Sequence, residues 1–216
     1  MRLTPVKTPK LVKWMFPNYI WNIPTTRKTI YLTFDDGPTP EITNWTLTVL
    51  KQYQAKATFF CIGNNIKKHP EIFENIIQDG HAIGNHTYNH LKGWKSNTRP
   101  YLDNIKQAQD LIEFHAKNQK TKFINTFRPP YGQITLKQGK QLLALNYKII
   151  MWDVLSFDWQ TQVSPETCFK NIISKTTNGS IVVFHDSVKA SRNMQYALPK
   201  MLEYFSNKGY VFQPIN

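Results

Sequence analysis

The strongest constraint on this chain's fold is an alternation of two periodicities. Short apolar runs rich in β-branched and aromatic residues recur over residues 29–34, 57–62, 82–84, 126–128, 148–152, 180–184 and 210–213. Between them lie longer stretches with helical spacing, over 41–53, 70–78, 101–117, 136–145, 165–175 and 196–207. In the first of these, Ile42, Trp45, Val49 and Tyr53 fall on one helical face. A helix between two strands returns the chain to the same end of the sheet, so the strands are expected to be parallel. The fold class is therefore α/β. A compact or incomplete barrel and an open doubly wound sheet both satisfy the pattern. No glycine-rich dinucleotide fingerprint follows the first strand, which weighs against an open nucleotide-binding sheet.

A chain of 216 residues suits one domain with a full core. No apolar run approaches the ~18 residues of a membrane span. The stretch 11–20 is broken by Lys13, Pro17 and Asn18, unlike the apolar core of a signal peptide, so the chain as written is expected in the cytoplasm. Residues 1–28 form an aromatic and basic segment with Lys10, Lys13, Trp14, Phe16, Tyr19 and Trp21. Its expected role is packing on the domain formed by 29–216, with contact to a membrane surface as the alternative. Cys61 and Cys168 are too few for a disulfide framework and are expected as buried free thiols. The net charge is +13, but the lysines are scattered and build no basic helix or recognised nucleic-acid motif. A nucleic-acid partner is suggested by the charge alone and is not expected. A solvated basic surface is the first reading, and attraction to an anionic polymer or membrane face the second.

The polar residues that packing does not explain fall just after the expected strands. Asp35 and Asp36 follow the first, His86 and His90 the third, Arg128 to Gly132 the fourth, Asp158 the fifth, and His185 with Asp186 the sixth. In parallel barrels that rim holds the active site. Adjacent acids in an Asp-Asp-Gly-Pro turn often only shape the turn. Here they follow a buried-type strand, where two like charges need a cation or an arginine nearby. The four-residue spacing of His86 and His90 can present both imidazoles on one face of a helical turn. With a carboxylate they make a donor set that leaves coordination positions open for water and substrate. Arg128, in a loop stiffened by Pro129 and Pro130, could orient a carboxylate through paired hydrogen bonds. His185, with its basicity raised by a carboxylate such as Asp158, would suit a general acid. His69, His81 and His115 are expected to be structural.

Five motifs stand in one order: Thr33-Phe34-Asp35-Asp36-Gly37, His86-Thr87-Tyr88-Asn89-His90, Arg128-Pro129-Pro130-Tyr131, Asp158-Trp159 and Val183-Phe184-His185. Together, across residues 29–214, they resemble the polysaccharide deacetylases of carbohydrate esterase family four, which include nodulation-type chitooligosaccharide and peptidoglycan deacetylases. The resemblance implies a distorted, incomplete (β/α) barrel of about seven parallel strands. It implies a catalytic domain over 29–216 that acts, as a monomer, on an N-acetylated glycan. It implies one divalent metal on Asp36, His86 and His90, with zinc as the default and cobalt, nickel or manganese compatible with the donors. Asp35 would be the base, held by Arg128, and His185 the acid, tuned by Asp158. The Tyr131 backbone N–H would face the oxyanion, and Trp159 and Val183 would wall the acetyl pocket. This chain departs from the pattern at Val183, where leucine is usual, and at Leu155, where many relatives carry an acid. An O-acetyl esterase acting on a glycan such as xylan, and a non-catalytic glycan-binding barrel, are the rival readings.

Overall fold

A computed structural model describes residues 5–117 and 125–215. The strands are β1 (Thr29–Asp35), β2 (Ala57–Cys61), β3 (Ala82–Asn85), β4 (Thr126–Phe127), β5 (Lys148–Ile149), β6 (Val154–Leu155), β7 (Ile181–His185) and β8 (Val211–Phe212). They lie in the order β5-β4-β3-β2-β1-β7-β6, and β8 pairs with β1 outside that run. Every strand ladder is parallel. The expected strands are all present. The addition is β6, because the run expected over 148–152 ends at Ile149 and resumes pairing, now with β7, at Val154.

The helices are α1 (Lys10–Met15), α2 (Ile42–Gln52), α3 (Gly63–Lys68), α4 (Pro70–Gln78), α5 (Thr98–Ala116), α6 (Leu136–Ala144), α7 (Pro165–Lys175) and α8 (Ser191–Ser206). Two of the expected starts follow from local capping. Thr135 and Gln138 close a reciprocal capping box on α6, and the Ser164 hydroxyl accepts the Thr167 N–H ahead of Pro165 in the first turn of α7. The short α1 and α3 were not expected, since six residues are too few to show a helical period. Helix α8 begins at Ser191 rather than 196 and carries Pro199 within it.

Strand parity sorts the side chains into two layers. Ile30, Leu32 and Phe34 of β1, Phe59 of β2, and Val182 and Phe184 of β7 face the helices. There they pack with Leu50, Phe73, Ile76, Met194, Leu198 and Phe205. Each such fully buried side chain contributes about 1.5–3 kcal/mol of transfer free energy. The opposite faces fill the interior of the curl: Phe60, Ile150, Ile181 and Ile215, with Ile20, Ile23 and Tyr31 against them. On β1 and β7 the inward residues pair directly as Tyr31↔Ile181, Thr33↔Val183 and Asp35↔His185. The interior thus passes from apolar to ionisable within four residues, ending at the C-terminal rim.

The two ends of the strand run, β5 and β6, are joined by the N-terminal segment. Ile20 bridges in parallel to Ile150, just past β5, and Lys7 bridges antiparallel to Val154 of β6. Its backbone is bonded at Ile20 N–H to the Ile149 carbonyl (2.9 Å), Met151 N–H to the Ile20 carbonyl (2.8 Å) and Leu155 N–H to the Val6 carbonyl (2.9 Å). Trp21 is buried in a cluster with Phe127, Leu142 and Ile149, and Val12, Phe16 and Tyr19 pack against that cluster. The Asp153 carboxylate receives Lys13 at 2.6 Å, Lys7 at 3.1 Å and the Ser180 hydroxyl at 2.6 Å. These contacts involve residues 6–22 of the segment; residues 1–4 lie outside the described part. Leu11, Trp14 and Met15 of α1 stay exposed.

Candidate active site

The rim gathers the motif residues into two groups that meet at the top of β1. Asp35 ends β1 and is buried; Asp36 starts the turn that follows, at a positive φ of 80°. That reversal sends the two carboxylates different ways. Asp35 accepts a hydrogen bond from Arg128 Nη1 at 2.6 Å. Arg128 is fully buried, and its other donors are met by the Thr33 hydroxyl (2.8 Å) and the Ile150 (3.3 Å) and Met151 (2.9 Å) carbonyls. Its guanidinium lies 4.1 Å from the centre of the Phe60 ring. The expected paired hydrogen bonds to one carboxylate are therefore replaced by a single strong one, with the rest of the fork anchored in the barrel wall. Thr33 was not assigned a role from sequence, although its position two residues before Asp35 puts it on the same inward face.

Asp36 meets the two histidines. Its Oδ1 lies 3.2 Å from His90 Nε2 and 3.6 Å from His86 Nε2. The three ligand atoms all lie within 4.8 Å of one another. Asp36 Oδ1 is a buried atom with no hydrogen-bond partner. A tetrahedral zinc site with bonds of about 2.0–2.1 Å sets its ligand atoms about 3.3 Å apart, so the trio has both the spacing and the orphaned oxygen that one shared ion would use. Burial pushes His86 down to about 4, more than the nearby carboxylates raise it, so its imidazole is neutral at neutral pH, as a ligand must be. Its Nδ1 is bonded to the Arg128 carbonyl at 2.8 Å, which leaves Nε2 for the trio. Burial would raise Asp36, but its interaction with His90 and the charges of His185 and His86 hold it well below the usual carboxylate range.

The helical turn that the four-residue spacing allows at 86–90 is absent. The segment is an irregular loop with Thr87 and His90 at φ 64° and 55°, and the imidazole centroids are 5.1 Å apart. Asparagine side chains hold it in place of helical hydrogen bonds. Asn85 Oδ1 accepts the Thr87 N–H, and Asn104 Oδ1, from α5, accepts those of Tyr88 and Asn89. No spacing in the sequence marks Asn104, which lies a full loop away.

His185, at the end of β7, is clamped at two points by the fully buried Asp158. The carboxylate accepts the His185 backbone N–H at 2.7 Å and bonds ring Nδ1 at 2.8 Å. Burial alone would lower His185, but Asp158 outweighs it and lifts the imidazole to about 9. The Asp158 loop is tied down by Asn193 of α8, whose amide donates to the Asp158, Gln160 and Val163 carbonyls. Asn193 is a second support that sequence reading missed. Trp159 lies 4.8 Å from the His185 ring and stacks on Phe157, while Val183 is buried with Leu155 and Phe157 just below. Tyr131, at φ 60°, sets its ring 4.6 Å from that of His90, and its backbone N–H has no protein acceptor among the described residues.

Outside this cluster, His81 accepts the Ala57 N–H and His115 pairs with Glu74, both as structural groups. Cys61 and Cys168 are buried free thiols. No helix among the described residues is long and apolar enough to cross a membrane.

Comparison with known proteins gives a consistent picture. A family profile described as polysaccharide deacetylase matches residues 22–150. A peptidoglycan-N-acetylglucosamine deacetylase of Bacillus cereus is 36% identical over 195 residues, covering 90% of this chain and 69% of that protein. A chitooligosaccharide deacetylase of Azorhizobium caulinodans is 33% identical over 160 residues, covering 74% of each. The crystal structure of a peptidoglycan N-acetylglucosamine deacetylase superposes with a TM-score of 0.86 at 33% identity, covering 96% of this chain and 95% of that one. The incomplete parallel barrel and the deacetylation of a glycan thus go together here, and the chain belongs to the polysaccharide deacetylase family.

Proposed function

We propose that this enzyme hydrolyses the N-acetyl groups of an N-acetylglucosamine-containing polysaccharide, peptidoglycan first and a chitin-like oligomer second, with one divalent cation held by Asp36, His86 and His90. Zinc suits two imidazoles and a carboxylate, and cobalt, nickel or manganese would fit the same donors. Bound there, the cation supplies the acidity that makes water a nucleophile near neutral pH and the charge that offsets a developing oxyanion. Asp35, fixed by Arg128, takes the proton from the attacking water. His185 gives a proton from Nε2 to the departing amine, because Asp158 occupies Nδ1. The Tyr131 N–H faces the oxyanion, an effect worth about 3–4 kcal/mol for a well-placed donor. Trp159 and Val183 flank the methyl of the acetyl group.

One observation carries this assignment. Asp35 and His185 are direct partners across the β1–β7 ladder, yet each is held by a different buried group of opposite charge. A carboxylate on an arginine and an imidazole on a carboxylate form a separated base and acid at one rim. Both functions are required when the leaving group is an amine.

The test is acetate release from a panel of peptidoglycan, chitin oligomers and acetylated xylan, using the zinc-loaded chain. Release from the N-acetylated polymers is expected. Release from xylan esters alone would make the chain an O-acetyl esterase, and release from none a glycan-binding barrel. Assembled peptidoglycan lies outside the cytoplasmic membrane, so cell fractionation separates that substrate from the cytoplasmic location first expected.

A further inference from the structure

Asp186 is a fully buried carboxylate for which the chemistry above has no use. It follows His185 directly, and no lysine or arginine pairs with it among the described residues. Its polar atoms are directed instead at the turn that carries Asp36. Oδ1 accepts the Gly37 N–H at 3.1 Å, and Oδ2 accepts the Thr43 hydroxyl at 2.6 Å. The Thr43 oxygen in turn accepts the Thr39 N–H at 2.8 Å. The Asp186 backbone N–H donates to the Asp35 carbonyl at 3.1 Å. A Cβ at residue 37 would collide with the carboxylate, so only glycine lets Asp186 approach this closely. From the other side, Asn65 donates to the Asp36 carbonyl and Ile62 N–H to the Gly37 carbonyl. Between these supports Asp36 holds a left-handed backbone that a non-glycine residue keeps only when its surroundings impose it.

We infer that Asp186 is a positioning residue for the cation site: with Thr43 it holds the turn that aims Asp36 Oδ1 at His86 and His90. This rests on the proposed metal site. It assigns Asp186 no contact with substrate or cation.

Calorimetric titration of the EDTA-stripped chain with zinc chloride tests it. Asp186→Ala is expected to weaken zinc binding by about 10–100-fold, the usual range for a lost outer partner of a ligand. Thr43→Val leaves every charge in place and removes only the hydroxyl, so it separates holding the turn from attracting the ion. It is expected to weaken binding at least about threefold, and Thr43→Ser, which keeps the hydroxyl, to restore it. Asp153→Asn serves as the control for stability, with a lower Tm and unchanged zinc affinity. Wild-type affinity in folded Asp186→Ala or Thr43→Val overturns the inference, as does an equal loss in Asp153→Asn. If Asp186→Ala does not fold, Thr43→Val and Thr43→Ser decide alone. A wild-type chain that takes up no zinc overturns the metal site and the inference together, whereas normal binding in the variants overturns only the latter.

Discussion

Asp158 and His185 show how one residue sets the chemistry of another. The carboxylate bonds both the backbone and the ring of His185, and the charge pair keeps the imidazole protonated up to about 9. A general acid works only while it holds its proton, so kcat/KM should fall as pH rises through that region. Asp158→Asn removes the charge and should move this alkaline limb down toward the ordinary imidazole value of about 6.5. A limb that stays in place would assign it to another group. The proposed roles of base and acid also separate by leaving group. Asp35→Asn should lower kcat by about 10²–10⁴-fold on amides and esters alike, with zinc retained. His185→Ala should lose comparable activity on an N-acetyl sugar but much less on an activated acetate ester, which departs without a proton. Equal losses on both substrates would exclude His185 as the leaving-group acid.

At the scale of elements, the N-terminal segment is the part whose contribution depends most on charge. It joins β5 to β6 through backbone hydrogen bonds and through Asp153, a buried carboxylate serving two partly exposed lysines and the Ser180 hydroxyl. Asp153→Asn should cost about 1–3 kcal/mol in urea unfolding at pH 7, a figure already reduced for the exposure of the lysines. Burial pushes Asp153 up, but Lys13, Ser180 and Lys7 outweigh it and hold it below the usual range. A depressed carboxylate stabilises above its unfolded value of about 4, and that stability is lost as pH falls through the folded value. The difference between wild type and Asp153→Asn should therefore shrink toward pH 3 and persist from pH 5 upward. A constant difference would mean that packing, rather than charge, is what the substitution removed.

The whole molecule carries a net charge of +13, far more than the site needs. If that charge draws the enzyme to an anionic polymer, added salt should raise KM for peptidoglycan while leaving a short neutral chitin oligomer nearly unaffected. Exposed charges are screened beyond about 8 Å at physiological ionic strength. Equal salt sensitivity for both substrates would leave the lysines as a solvated surface.

The sequence alone determined whatever repeats at short range. Short apolar runs rich in β-branched and aromatic residues mark β1 and β7. The helical periods of α2, α4 and α5 and the capping residues of α6 and α7 are local for the same reason. The candidate site residues were legible because they are polar side chains set directly after apolar strand-like runs, a contrast visible at short range. The tertiary structure decided what depends on contacts between distant segments. Only the crossovers bring Asn104 beneath the His86–His90 loop, Asn193 beneath Asp158 and Asp186 against Gly37. Only the curl of the sheet leaves β5 and β6 for residues 7–20 to join. Buried polar groups must find partners wherever the fold puts them. The identity of such a partner is set by three-dimensional proximity, which leaves no period or spacing in the chain.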